Sequence, residues 1–211
     1  MVRTVTGNGP GQNVAKENPC AGDKAVDTGE ALRIDTGETL FRLFDEQEIG
    51  AAVQRLAATI SKDFEGQEVV LVSVLKGSFM FASDLLREMK GPVVVDFLRV
   101  YSYGNETTTS GKVTLTKDLE TDIEGKNVVI VEDIIDSGLT LRWIRDLLLA
   151  RHPRSLKICA LVDKRARREV EIEGDYIGFS IDDGFIVGYG IDYRERYRNL
   201  PAIFVVKEEG R

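Results

Sequence analysis

The segment from Val128 to Leu141, VVIVEDIIDSGLTL, constrains the fold more than any other part of the chain. Its opening run of Val and Ile has the composition of a strand buried on both faces. Asp136, Ser137, Gly138 and Thr140 then supply a small-residue turn that passes directly into a helix N-terminus. A buried strand feeding a helix through such a turn is the building unit of an α/β domain, which binds ligands at the carboxyl ends of its strands. Backbone N–H groups at this turn, with two hydroxyls beside them, suit a phosphate monoester. An Asp or Ser that only caps the helix has the same composition, so spacing alone leaves both readings open. Glu132 and Asp133 interrupt the apolar pattern at the strand end. A buried carboxylate without a partner is costly, which points to ligand hydroxyls or a metal as that partner.

The same alternation continues on either side. Asp45 and Glu48 have the spacing of a helix-capping box, followed by an apolar stripe of Ile49, Val53, Leu56, Ile60 and Phe64. Val69–Leu75 reads as a buried strand, Ser78–Met89 as a helix, and Val93–Val100 as another strand. Thr107–Thr116, rich in Thr around Gly111, suggests an exposed hairpin or ribbon. After the strand at 128–132, a helix is expected from Leu139 to Ala150, before Pro153. Strands at Ser155–Leu161, Tyr176–Ile181 and Ile203–Val206 complete the alternation. The expectation is an α/β domain over residues 39–211, with a largely parallel central sheet flanked by helices. Residues 1–38 carry few large apolar side chains and cannot offset their ordering entropy, so they read as a flexible extension.

Composition removes several classes. A chain of 211 residues supports one domain with a substantial core. Its net charge of -7 argues against a nucleic-acid surface, which needs concentrated Lys and Arg. No apolar run is long enough to span a bilayer, and the first residues lack an apolar signal core. Cys20 and Cys159 are far apart, and Cys159 lies in an apolar run, which suits a buried free thiol in a reducing, cytoplasmic compartment. His152 is the single histidine, so a histidine-rich metal site is excluded.

Residues 132–140 (EDIIDSGLT) resemble the phosphoribosyl-pyrophosphate signature of the type I phosphoribosyltransferases. Further matching pieces are 73–81 (SVLKGSFMF), 102–104 (SYG), 161–165 (LVDKR) and 185–193 (FIVGYGIDY), with Arg198 beyond them. Their combination and order resemble the bacterial-type hypoxanthine-guanine phosphoribosyltransferases over roughly residues 40–206. The resemblance implies transfer of a 5-phosphoribosyl group from phosphoribosyl pyrophosphate to N9 of hypoxanthine or guanine, giving IMP or GMP and pyrophosphate. It also implies Mg²⁺, a homodimer or homotetramer, and a small hood near residues 38–45 and 170–200.

The resemblance further assigns roles. Asp136 would accept the proton at purine N7. Ser137, Gly138, Leu139 and Thr140 would grip the 5′-phosphate together with the Asp136 backbone, Leu139 through its backbone only. Glu132 and Asp133 would lie near the ribose hydroxyls, directly or through the metal's shell. The pyrophosphate would meet the loop Lys76, Gly77 and Ser78, whose Lys76–Gly77 peptide the family often holds in cis, together with Arg99 and Arg198. Ser102 and Tyr103 would open a lid. Lys164 would donate to purine O6, Phe185 would stack on the ring, Ile186 would offer its carbonyl, and Asp192 would hold a second Mg²⁺. Read without the resemblance, Lys164 belongs to a basic surface run continued by Arg167 and Arg168, Phe185 is a core aromatic, and Asp136 is a helix cap. Two other functions share the fold: a transferase preferring xanthine, and a regulator that binds the donor as an effector while contacting nucleic acid.

Overall fold

A computed structural model describes residues 31–33, 38–102 and 113–208 of the chain. The elements run β1 (Ala31–Arg33), β2 (Glu38–Phe44), α1 (Glu46–Asp63), β3 (Val69–Leu75), α2 (Phe79–Glu88), β4 (Val93–Ser102), β5 (Val113–Lys117), β6 (Asn127–Ile135), α3 (Leu139–Leu149), β7 (Ser155–Lys164), β8 (Tyr176–Ile181), β9 (Ile186–Val187) and β10 (Ile203–Glu208). The main sheet has the order β5-β4-β3-β6-β7-β8. Its neighbours pair in parallel except β5, which turns back antiparallel along β4. Strand β6 sits near the centre and alternates between two cores. Val129 and Val131 pack with α1 and α2, while Val128 and Ile130 face α3. Continuous Val and Ile are required there because neither face meets water.

Helix α1 begins with the capping box expected from its spacing. The Glu48 N–H donates to Asp45 Oδ1 at 2.8 Å, and the Asp45 N–H donates to Glu48 Oε2 at 3.0 Å. Its buried stripe is Ile49, Ala52, Val53, Leu56, Ala57 and Ile60.

A second, antiparallel sheet has the order β1-β2-β10-β9 and forms a small hood. One expectation changes here. The run Ile203–Val206 is not part of the parallel alternation, because β10 pairs antiparallel with β2 and β9 in the hood. Its unbroken apolar composition has a different cause from that of β6. Ile203 and Val205 reach into the larger core, while Phe204 packs with Leu40 and Val187 in a hood cluster. Residues 176–181 form β8 at the edge of the main sheet, parallel to β7, as the alternation predicts. The expected lid begins at Ser102, the last residue of β4, but Tyr103 and residues 104–112 lie outside the described residues.

Asp96 on β4 pins the chain between β5 and β6. It is 5% exposed and accepts N–H groups from Phe97, Glu120 and Thr121 at 2.6, 2.8 and 2.7 Å. Burial pushes its carboxyl up, but the N–H donors of Thr121, Phe97 and Glu120 together hold it below the ordinary value. A depressed folded pKa stabilises the fold above the unfolded carboxylate value, about 3.9, and that contribution is lost as pH falls through the lower folded value. Asp96→Asn sets an amide N–H₂ against at least one of these donors and is expected to cost about 2 kcal/mol at neutral pH. Urea unfolding should show the gap between parent and variant shrinking at about pH 3, because only the parent titrates there. A gap of constant size across pH would remove this role from the carboxylate.

Candidate active site

The parallel strands β3, β4, β6 and β7 end at one edge of the sheet. There Leu75 lies beside Arg99, and Ile135 beside Asp163. The turns that follow β3, β6 and β7 therefore leave from the same edge, the position at which open α/β sheets bind ligands.

After β6 the chain turns through Asp136, Ser137 and Gly138 into α3. Gly138 is the N-cap, with φ +83°, and no side chain caps the helix. The helix-cap reading of Asp136 is thus replaced. Its carboxylate stands 3.6 Å from the Lys164 ammonium and 3.6 Å from Arg167, while its Oδ1 is buried without a hydrogen-bond partner among the described residues. A Cβ on Gly138 would come within 2.6 Å of Ile172 Cγ2, so glycine is required by space as well as by φ. The Leu139 N–H approaches Ser137 Oγ at 3.4 Å, and Leu139 and Thr140 open the helix.

Lys164 ends β7. It is 3% exposed, which removes the reading as a surface run, and its ammonium donates to Gly184 O at 3.0 Å. An ammonium this enclosed needs polar partners, and Gly184, Asp136 and Asp183 surround it. Phe185, next to Gly184, is no core aromatic. It is 47% exposed, with Tyr193 against it edge-on at 5.0 Å between ring centres. Ile186 is buried and pairs with Val205 across the hood.

The Lys76 loop and Arg198 bring cations and acids together. The cis peptide is Leu75–Lys76, one bond before the Lys76–Gly77 bond expected from the resemblance. A Cβ on Gly77 would meet Asp133 Oδ2 at 1.8 Å, so the loop backbone lies directly against that carboxylate. The buried Ser78 hydroxyl donates to Val74 O at 2.8 Å and contacts Ser73 Oγ, which leaves the loop's backbone, not this side chain, for a ligand. Lys76 Nζ donates to Glu195 Oε2 at 2.8 Å, and Arg198 pairs with Asp192 at 2.6 Å and Glu195 at 3.5 Å. Arg198 Nε is buried without a hydrogen-bond partner among the described residues. Arg99 is exposed beside Leu75.

Electrostatics separate the acids. Burial first, then the neighbouring Asp133, pushes the Glu132 carboxyl well above its ordinary range, and burial also raises Asp133. Glu195 is held low, first by the hydrogen bond from Lys76. Neither Glu195 nor Arg168 is a site residue that the sequence points to. Glu195 lies in an irregular segment with no periodic signal, and Arg168 looks like one more charge in a basic run. The cue available for Arg168 was Asp163, an acid at the end of a buried strand that needs a cation.

Residues 41–194 match the family model described as "Phosphoribosyl transferase domain". The hypoxanthine phosphoribosyltransferase of Salmonella typhimurium is 50% identical over 163 residues, which cover 76% of this chain and 92% of that protein. The hypoxanthine-guanine phosphoribosyltransferase of Bacillus subtilis is 44% identical over 165 residues, 78% of this chain and 92% of that protein. A crystal structure of a hypoxanthine-guanine phosphoribosyltransferase from Bacillus anthracis superposes with a TM-score of 0.75 at 52% identity, covering 79% of this chain and 98% of that one.

Proposed function

The chain belongs to the phosphoribosyl transferase family, and we propose that it acts in purine salvage, moving the 5-phosphoribosyl group of phosphoribosyl pyrophosphate onto N9 of a 6-oxopurine. One observation carries the choice of base. The buried Lys164 ammonium stands 3.6 Å from Asp136, beside an exposed Phe185 ring. An ammonium donates and never accepts, so it favours the lone pairs of a purine O6 over the hydrogens of a 6-amino group. Phe185 supplies a face on which the ring stacks.

The reaction follows from these positions. N9 attacks the sugar carbon as the bond to pyrophosphate breaks, leaving positive charge on the ribose and negative charge on the departing oxygens. Asp136 accepts the N7 proton as N9 becomes bonded to the sugar. The Ser137–Thr140 backbone and hydroxyls hold the 5′-phosphate at the start of α3. Arg198 and the Lys76–Gly77 loop receive the pyrophosphate.

The donor set fits Mg²⁺. The described residues contain no cluster of three or more metal-ligating side chains. Glu132 is a buried carboxylate with no cation among the causes of its raised pKa, Asp133 beside it is half-buried and feels Arg198, and Asp192 presents a further carboxylate paired with Arg198. Mg²⁺ commonly takes one or two carboxylates and completes its shell with water and substrate oxygens. When bound, it neutralises the pyrophosphate, with Glu132, Asp133 and Asp192 holding it or its waters.

Initial rates with hypoxanthine, guanine, xanthine and adenine at saturating donor test the assignment. Hypoxanthine and guanine should dominate, and a large lead for xanthine would replace it. Lys164→Met should reduce kcat/KM for hypoxanthine by about 10²-fold and narrow the lead over adenine, since the O6 donor is gone. Parental rates with all four bases would remove Lys164 from base recognition.

Self-association is part of the reading. One side of β4 exposes Val95 at 37% and Tyr101 at 53%, and Phe79 at the start of α2 is 40% exposed. Apolar groups in such positions suit a second copy beside the Lys76 loop. Light scattering at assay concentration should give the mass of a dimer or tetramer, and a fully active monomer would reject it. Among the described residues no helix is long and apolar enough to cross a membrane.

A further inference from the structure

We infer that Arg168 is a positioning residue that aims the N–H groups of the phosphate loop, an inference resting on the reading of residues 136–140 as the 5′-phosphate site. Its guanidinium holds three backbone carbonyls and one carboxylate. Nε donates to Asp136 O at 3.0 Å, and a terminal nitrogen approaches Ile135 O at 3.4 Å. The other terminal nitrogen donates to Ile172 O, and Arg168 pairs with the buried Asp163. Beside it, the Glu169 N–H donates to Ser137 O at 2.9 Å.

Peptide geometry turns these contacts into function. A trans peptide is planar, with its C=O and N–H pointing in opposite directions. Drawing Asp136 O toward Arg168 points the Ser137 N–H the other way, and drawing Ser137 O toward Glu169 does the same for the Gly138 N–H. Two successive donors are thereby turned away from the 168–172 segment. Successive N–H groups turned to one side are what an anion nest requires. The wall behind the loop is close-fitting, since a Cβ on Gly138 would lie 2.6 Å from Ile172 Cγ2 and 3.0 Å from Arg168 Cδ. Asp163 fixes the guanidinium in turn, and its second oxygen accepts from Arg165 Nε at 3.0 Å. Only a planar fork reaches carbonyls at 135, 136 and 172 together.

Lysine tests the fork with its charge retained. Arg168→Lys keeps a cation for Asp163 but has no fork with which to hold all three carbonyls, and Arg168→Met removes both. Calorimetric titration of parent and variants with IMP and with inosine, each with Mg²⁺, isolates the contribution of the 5′-phosphate. In the parent, IMP should bind far more tightly than inosine. In Arg168→Lys the IMP-to-inosine affinity ratio should fall on the order of 10- to 100-fold, the factor carried by one or two charge-assisted hydrogen bonds. Arg168→Met should lose at least as much. If Met prevents folding, the Lys variant alone decides. A parental ratio in the folded variants, or equal weakening of both ligands, would make Arg168 a merely structural residue. A parent that does not distinguish IMP from inosine would instead overturn the phosphate site, and Arg168's role with it.

Discussion

Asp136→Asn is expected to lower kcat with hypoxanthine by about 10²- to 10⁴-fold, the range of a lost general base, while leaving the KM for phosphoribosyl pyrophosphate unchanged. The amide keeps the shape of the carboxylate and the backbone that faces the 5′-phosphate, but it cannot take the N7 proton. The surroundings favour that reading over a passive one. Asp136 does not cap α3, its Oδ1 is buried without a hydrogen-bond partner among the described residues, and Lys164 and Arg167 both stand 3.6 Å away. Single-turnover rates at saturating donor and Mg²⁺ measure the chemical step directly, and a near-parental rate would eliminate Asp136 as the proton acceptor.

Gly190→Ala should produce the second large effect. Gly190 has φ +98°, and a Cβ there would lie 2.2 Å from Gly77 O and 3.7 Å from Met80 Cβ. The same residue is tied to Arg198 twice, through its N–H to Arg198 O at 3.0 Å and through its carbonyl from Arg198 NH1 at 2.8 Å. Backbone oxygen cannot yield as a flexible side chain does, so the methyl must separate the 188–192 segment from the Lys76–Gly77 loop. Overpacking and the left-handed conformation together should cost about 3 kcal/mol. Displacing phosphate-binding donors by about 1 Å is enough to raise the donor's KM on the order of 10²-fold. Unfolding midpoint and donor KM should therefore change together, and parental values of both would mean that the two segments move independently.

Local patterns carried much of the main sheet. The capping box at Asp45, the strand Val69–Leu75 and the turn ahead of Leu139 each depend on neighbours within a few residues. The placement of β10 depends on pairing with β2, far away in the chain, and its apolar run gave no sign of which sheet it joins. The site divides in the same way. Asp136, Ser137 and Gly138 share one turn, and their residue types suit an anion. Burial of Lys164 and exposure of Phe185 reverse what a basic run and an isolated aromatic suggest, because both are set by the Gly184 segment folding back over the end of β7. Glu195 and Arg168 acquire their partners only in three dimensions, Lys76 for the former and Asp163 for the latter.

The pairing of β2 with β10 also orders events during synthesis. Phe44 meets Ile203 and Glu38 meets Glu208, so this pairing waits until nearly the whole described chain has left the ribosome. The turns proposed to bind phosphate lie between β3 and β7 and rest on strands whose partners are already made. Phe185 reaches the hood through its carbonyl, which accepts the Val206 N–H at 2.8 Å. A nascent chain halted before residue 203 thus has the strands beneath the 136–138 turn but not the β10 partner of the Phe185 segment. On the proposed assignment, the half for the sugar phosphate is ready for assembly before the half for the purine.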